Sequence, residues 1–330
     1  MSSTTYRGQH RPARKDRAGA AWLVLAGLLT VLAGASNPHL FLVGFIPAAL
    51  FCAGALACYM WLDRWEPEPP RLLNLAFIWG ASVAIVLSLV LELWADSAFV
   101  PMADLPEGFE STAIRAPLIE EAAKGLFLLL MLTGRRRNEL NSLTDCLVYA
   151  GLVGAGFAWF EDILYIANGE SVAGSLLTAA MRLIMAPFAH SLFTTFTGIG
   201  IYFALKNRNV VAKVVFIVLG YLAAVGMHML WNGSSVLGVE TYFAVYFLWM
   251  VPIFALAIAL AVHGRRREQR VVAEKLPGMV SAGIITASEA NLELLLSQLR
   301  DIDAAHRGAQ FRCAAAAVTP DGREFVAEGA

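Results

Sequence analysis

The stretch "PLIEEAAKGLFLLLML", residues 117–132, decides how this chain folds. Its second half is apolar enough for the interior of a bilayer, yet its first half carries Glu120, Glu121 and Lys124. A charged side chain inside a spanning helix costs about 2.5–3.5 kcal/mol on insertion scales, so such residues face a bundle interior or a wet cavity. Glu120 and Lys124 are spaced i,i+4, and Glu121 and Lys124 i,i+3, so on a helix either carboxylate meets the ammonium. One lysine neutralises one carboxylate, and the carboxylate left over suits a general base that activates water. An ion pair at an interfacial helix end has the same signature, because Glu120 lies only about two turns into the apolar run.

Composition says what surrounds this stretch. Of 330 residues, 58% are hydrophobic and 15% charged, whereas soluble domains carry about 25% charge. Apolar runs recur up to position 263 and predict an all-α, polytopic membrane bundle of about eight transmembrane helices. The spans are expected near 20–35, 40–62, 72–95, 113–133, 143–166, 177–205, 210–232 and 241–263. Residues 1–18 read as a disordered basic N-terminus, 19–263 as the membrane domain and 264–330 as a partly disordered tail. Within the tail, "ASEANLELLLSQLR" (287–300) is amphipathic, with Thr286 or Ser288 as its N-cap.

Lys and Arg occupy the N-terminus, 64–71, 135–137, 206–208 and 265–270, while the loops near 36–39, 96–112, 167–175 and 233–240 contain neither. The positive-inside rule then puts every basic segment, and both termini, in the cytoplasm of a multi-pass cell-membrane protein. A cleaved signal peptide ending in "AGAS" (33–36) is the alternative for the first span, and its removal would spoil this alternation. A net charge of −1 gives no argument for a nucleic-acid partner. Cys52, Cys58, Cys146 and Cys313 form no CxxC pair and read as small core residues.

Other spans carry polar groups too. Glu161 and Asp162 follow closely spaced glycines in "GAGFAWFEDILYI" (154–166). His190 follows Pro187, with Thr194 one turn on and Arg182 two turns back as a counter-ion or a snorkelling side chain. His228 shares a helix face with Asn232 at i+4. Each has a bland reading: a solvated interfacial pair, a satisfied core histidine, a helix stop. Threading the spans antiparallel brings Glu120, Glu161 and His228 to the outer half of the membrane and His190 near its middle. Carboxylate plus imidazole at common depth is the ligand set of a hydrolytic zinc site.

Four motifs now stand in order: "EEAAK" (120–124), "FAWFE" (157–161), "HSLFT" (190–194) and "HMLWN" (228–232). On these the chain resembles the PrsW family of intramembrane proteases over roughly residues 40–263. The paired glutamates and the late HxxxN are also similar to the CAAX prenyl endopeptidases of the wider superfamily. The resemblance implies proteolysis of a single-pass, membrane-embedded protein substrate; in bacteria the family's role is cleavage of an anti-sigma factor. It implies Glu120 and Glu121 as the essential acidic pair, with Glu120 activating water, and Asn232 holding the oxyanion. Glu161, His190 and His228 would complete the site and suit a Zn2+ ion. The family's chemistry is either metal-dependent or a glutamate-driven attack of water without metal. Asp162 stands where an Asn is expected, and the tail after 263 lies outside the resemblance.

Other intramembrane protease classes fit worse, since the sequence has no HExxH and no GxGD, and Ser234 and Ser235 follow His228 too closely for a rhomboid-like pair. Two non-protease readings remain. A non-catalytic scaffold partnering another protease would keep the motifs for assembly. A proton-coupled transporter would extend a polar path into the cytoplasmic half, where spans four to seven are largely apolar.

Overall fold

The computed structural model describes residues 38–99, 105–106, 108–169, 171–281, 313–318 and 324–329. The basic N-terminus, the first expected span and the amphipathic segment at 287–300 lie outside the described residues. Helix α1, Pro38–Leu62, ends where the Asp63–Pro69 connector begins. Helix α2, Pro70–Ala98, opens with proline in its first turn, where the missing N–H costs nothing, and passes through a π turn at Trp79–Ala84. Helix α3 is a π turn, Glu110–Arg115, running straight into Ala116–Met131. Gly134, at a φ of 63°, then reverses the chain.

Helix α4, Leu143–Ala167, starts from a capping box in which Ser142 and Asp145 satisfy each other's backbone N–H groups. Helix α5, Val172–Ala179, continues as a π turn, Ala180–Met185, and stops at Pro187. The kinked span expected at 177–205 is one candidate crossing, Val172–Lys206, broken at Pro187 into α5 and α6 (Ala189–Lys206). Asn209 caps helix α7, Val210–Val236, by accepting from the N–H groups of Val211 and Ala212. Gly238, at a φ of 111°, allows the turn into α8, Val239–Ser281.

Among the described residues six helices are long and apolar enough to cross a membrane. Helix α3 occupies the position of the expected fourth span and carries the charged motif. The chain divides into two compact units, Met1–Arg265 and Arg266–Ala330. The second contains an antiparallel hairpin, β1 (Cys313–Val318) with β2 (Glu324–Gly329), Cys313 opposite Gly329. Among the described residues that hairpin is the one departure from an all-helical fold.

Helix α4 is the axis of the bundle. Its most apolar window is 83% buried, against 17% for α1 and 22% for α7. Its neighbours approach to backbone contact: a Cβ at Gly80 of α2 would collide with the Val153 carbonyl, and one at Gly156 with the Phe77 carbonyl. Close approach through small residues is how spanning helices gain packing energy without a hydrophobic driving force. The Trp79 indole donates to the Ala123 carbonyl at 2.9 Å, which ties α2 to α3 beside Lys124. Outward faces stay apolar, as Leu42, Ile46 and Leu50 show on α1. Cys146 is buried and Cys52 partly so, and with Cys58 both are free thiols.

At the end of the bundle where α1 gives way to α2, the Tyr149 hydroxyl donates to Glu68 at 2.8 Å and the Glu68 N–H donates to Asp63. Burial pushes the Glu68 carboxyl from 4.5 up to about 8; the Tyr149 hydrogen bond opposes the rise, and the charges of Asp145 and Asp63 add to it. A raised folded-state value makes the contribution of Glu68 to stability full below about pH 4.5 and lost as pH rises through about 8. Thermal unfolding in detergent should therefore show stability falling across that window, and Glu68→Gln should flatten the fall. Packing makes a second expectation. Gly80→Ala should cost about 1–3 kcal/mol through overpacking. Gly54→Ala, whose Cβ meets nothing within 4 Å, should be neutral or stabilising by up to about 1 kcal/mol.

Candidate active site

Four helices deliver the site. Lys124 lies at its centre, fully buried, with its ammonium 2.8 Å from Glu121 Oε1, 3.2 Å from Glu120 Oε2 and 3.0 Å from His190 Nδ1. The Phe157 ring of α4 covers it, its centroid 3.9 Å from the nitrogen. The i,i+3 and i,i+4 spacing on α3 produces both ion pairs, and the third partner comes from α6.

The two imidazoles are held alike. His190 Nε2 is 2.6 Å from Glu161 Oε2, and His228 Nδ1 is 3.1 Å from Glu121 Oε1. Each facing carboxylate calls for an N–H on that nitrogen and leaves the other ring nitrogen of a neutral imidazole as an acceptor. Those other nitrogens, His190 Nδ1 and His228 Nε2, both stand 3.9 Å from Glu120 Oε2. Phe193 stacks on His228 with centroids 4.7 Å apart, and the two imidazoles meet edge to face at 5.0 Å. Thr194 donates to Glu121 Oε2 at 3.1 Å, so both oxygens of that carboxylate are occupied.

One donor atom each from Glu120, His190 and His228 lies within 4.8 Å of the other two, and all three residues are buried. Acceptors turned toward one another need a cation between them, and one carboxylate with two imidazoles is a donor set of catalytic zinc. The residues present therefore fit a metal ion, with carboxylates on the far nitrogen of both histidines, as metal-bound histidines usually have. Lys124 shares two of the three donor atoms.

The other residues singled out in the sequence take definite places. Glu161 stands on the far side of His190, and Arg182 binds it at 2.5 Å and Asp162 at 2.6 Å. Asn232 donates from Nδ2 to the Thr112 carbonyl at 3.0 Å, tying α7 to the start of α3. One residue was missed: Glu92 of α2, which interacts electrostatically with Glu161, Lys124 and Glu120. In "VLELWADSA" (90–98) it reads as an interfacial acid next to an acidic loop. The signal that would have found it is its i+4 spacing from Ser88, which makes a polar stripe on a lipid-facing helix.

The site opens on one side. Side-chain exposure rises from 0% at Lys124 and Glu121 to 8% at Glu120, 14% at Glu161 and 23% at Arg182.

Fold and site together define a polytopic membrane protein with a buried carboxylate–imidazole centre fit for a metal ion. The model of the PrsW family intramembrane metalloproteases matches residues 68–257, more than half of the chain, and the chain belongs to that family. It is similar to Protease PrsW of Geobacillus kaustophilus, 28% identical over 159 residues, which is 47% of this chain and 65% of that protein. A shorter stretch is similar to the dITP/XTP pyrophosphatases of Streptomyces avermitilis, 57% identical over 56 residues, and Streptomyces coelicolor, 54% identical over 56 residues. That stretch covers 16% of this chain and 28% of each pyrophosphatase, so the chain spans just over a quarter of those relatives. No solved structure matches the chain.

Removing the central cation should leave buried carboxylates uncompensated. Lys124→Met should destabilise the protein by about 3–5 kcal/mol, the cost of breaking a buried ion pair from one side. Lys124→Arg should recover part of the loss, as a denaturant or thermal series on the purified protein would measure.

Proposed function

We propose that this protein hydrolyses a peptide bond of a membrane-embedded protein substrate, with Glu120 taking the proton from water. The observation that supports this most is the meeting of Glu120 Oε2 with the acceptor nitrogens of both histidines at 3.9 Å. Glu121 is fully engaged by Lys124, His228 and Thr194. Glu161 is engaged by His190 and Arg182. Glu120 is held by Lys124 alone at hydrogen-bond distance among the described residues, and its side chain is 8% exposed where that of Glu121 is 0%. It is thus the carboxylate with capacity to accept a proton.

Glu120 Oε2, His190 and His228 would hold a Zn2+ ion, which would supply a bound water that ionises near neutral pH and a Lewis acid for the scissile carbonyl, leaving Glu120 Oε1 as the oxygen that takes the proton. The chain's own groups do the rest. Glu121 and Glu161 fix the ring orientation of His228 and His190. Lys124 keeps Glu120 in place. Asn232 uses one amide hydrogen on Thr112 and keeps the second for the developing oxyanion. Phe157 and Phe193 exclude water from the imidazole faces.

The substrate class that fits is a single-pass membrane protein, with an anti-sigma factor as the expectation carried by the family. The basic loops favour a plasma-membrane protein with both termini cytoplasmic and the site opening outward. The likeness to pyrophosphatases covers 28% of those enzymes, too small a share to bring nucleotide hydrolysis to this chain.

Glu120→Gln should abolish cleavage of a membrane-embedded reporter, a loss of about a hundredfold to ten-thousandfold typical of a general base, with unchanged elution from gel filtration. A scaffold would retain function in that variant, so retained cleavage would refute the assignment. Metal content of the purified protein should fall in both His190→Ala and His228→Ala relative to wild type. Wild-type protein that cleaves while free of metal would remove the zinc assignment and leave the role of Glu120 intact.

A further inference from the structure

We infer that water reaches the active site along one face of α2, past Asp96, Glu92 and Ser88, and that Glu92 is the group that holds it there. Three polar residues are spaced i, i+4 and i+8 on a helix whose other face meets lipid, with Leu89, Leu93 and Trp94 exposed. Asp96 lies at the mouth, its side chain 56% exposed and paired with Arg115 at 2.8 Å. One turn deeper, Glu92 Oε1 is shielded from solvent and has no hydrogen-bond partner among the described residues. One turn deeper again, Ser88 is 3% exposed and its Oγ also has no partner among the described residues.

Two orphaned oxygens one turn apart are the signature of ordered water. A polar atom buried in low dielectric without a partner is costly, and native interiors satisfy such atoms with protein or with water. Ser88 and Glu92 are separated by about 6 Å along the helix axis, a gap that one bridging water spans with good hydrogen bonds to each. The depths agree with the site. Ser88 lies ten residues before Ala98, the end of α2, and Glu120 ten residues after Glu110, the start of its helix. Both are therefore about 15 Å from the same membrane face, half the thickness of the hydrocarbon core.

Charge balance separates Glu92 from its neighbours. Lys124 answers Glu120 and Glu121, Arg182 answers Glu161 and Asp162, and Arg115 answers Asp96 and Glu110. Among the described residues Glu92 pairs with no cation of its own, although it senses Lys124 and Glu161. A carboxylate left over in this way is tolerated where water solvates it. Hydrolysis consumes one water per bond, and the catalytic cluster lies behind apolar helices, so a delivery route is a requirement of the proposed reaction. The purpose of the route rests on that reading; its hydration does not.

The test is cysteine accessibility in the full chain, with Cys52, Cys58, Cys146 and Cys313 replaced by Ala, in membrane vesicles. Single cysteines are placed by Glu92→Cys, Ser88→Cys and, on the lipid face, Leu93→Cys, and exposed to a charged, membrane-impermeant thiosulfonate. Reaction needs a thiolate, hence water, so Glu92→Cys should react at least about tenfold faster than Leu93→Cys, from the α2 C-terminal side only. Equal rates at the two positions, or labelling from the opposite side, would overturn the inference. Ser88→Cys serves independently should Glu92→Cys misfold: an inert Ser88→Cys in a protein that labels at Asp96→Cys would place the end of the water short of the site and refute it. Repeating the series in the Glu120→Gln background separates the two claims, since the same pattern should persist in a protein that cannot cleave.

Discussion

The structure turns on a lysine where no solvent reaches it. Lys124 gathers Glu120, Glu121 and His190 within hydrogen-bond distance and lies under the face of Phe157. A buried ammonium is tolerable only when its partners are anionic and close. Paired carboxylates inside a bilayer are tolerable only with a cation between them. Each half of the arrangement thus makes the other possible, and the i,i+3 and i,i+4 spacing lets one helix hold most of it. His190 comes from a different helix, so the same ammonium also fixes how α6 docks against α3.

That docking depends on backbones coming unusually close. Where α2 meets α4, a methyl group at Gly80 or Gly156 would strike a carbonyl, and α6 meets α7 through Gly200 and Gly220 in the same way. The break at Pro187 frees the chain just before His190, so α6 can start at the depth of the site rather than continue the tilt of α5. Helix geometry alone would give a histidine and a glutamate on adjacent spans a wide range of separations. Glycine contacts at van der Waals range, with the Trp79 bond to Ala123, reduce that range to the observed 2.6 Å between His190 and Glu161.

Much of this was legible in the sequence. Charge-poor apolar runs gave the spans, since a bilayer demands length and apolarity and leaves little else to decide. Glu120, Glu121, Glu161, His190 and His228 stood out because each is expensive where it is. What stayed hidden depends on rotation about helix axes. Sequence spacing says that Glu161 and His190 can share a depth; it does not say that Glu161 takes Nε2 while Glu120 faces Nδ1. Arg182 looked like either a counter-ion or a snorkelling side chain, and the π turn at Ala180–Met185 turns it onto Glu161 and Asp162. Glu92 was hidden for the opposite reason. An acid near the end of a span reads as interfacial until its neighbours across the bundle are known.

A cation is wanted at two places a few ångströms apart, and this constrains how the site works. Glu120 Oε2 and His190 Nδ1 are contacted by Lys124 and are also two of the three atoms that converge as metal donors. Any divalent ion held by Glu120, His190 and His228 must therefore weaken the hold of Lys124 on Glu120 and His190. Glu121 is not among the converging donors, and its oxygens serve Lys124, His228 and Thr194. The adjacent glutamates are thus not equivalent copies of one function. Glu121 holds the lysine and a histidine with both oxygens occupied, and Glu120, one residue earlier, has Lys124 as its one hydrogen-bonded partner among the described residues.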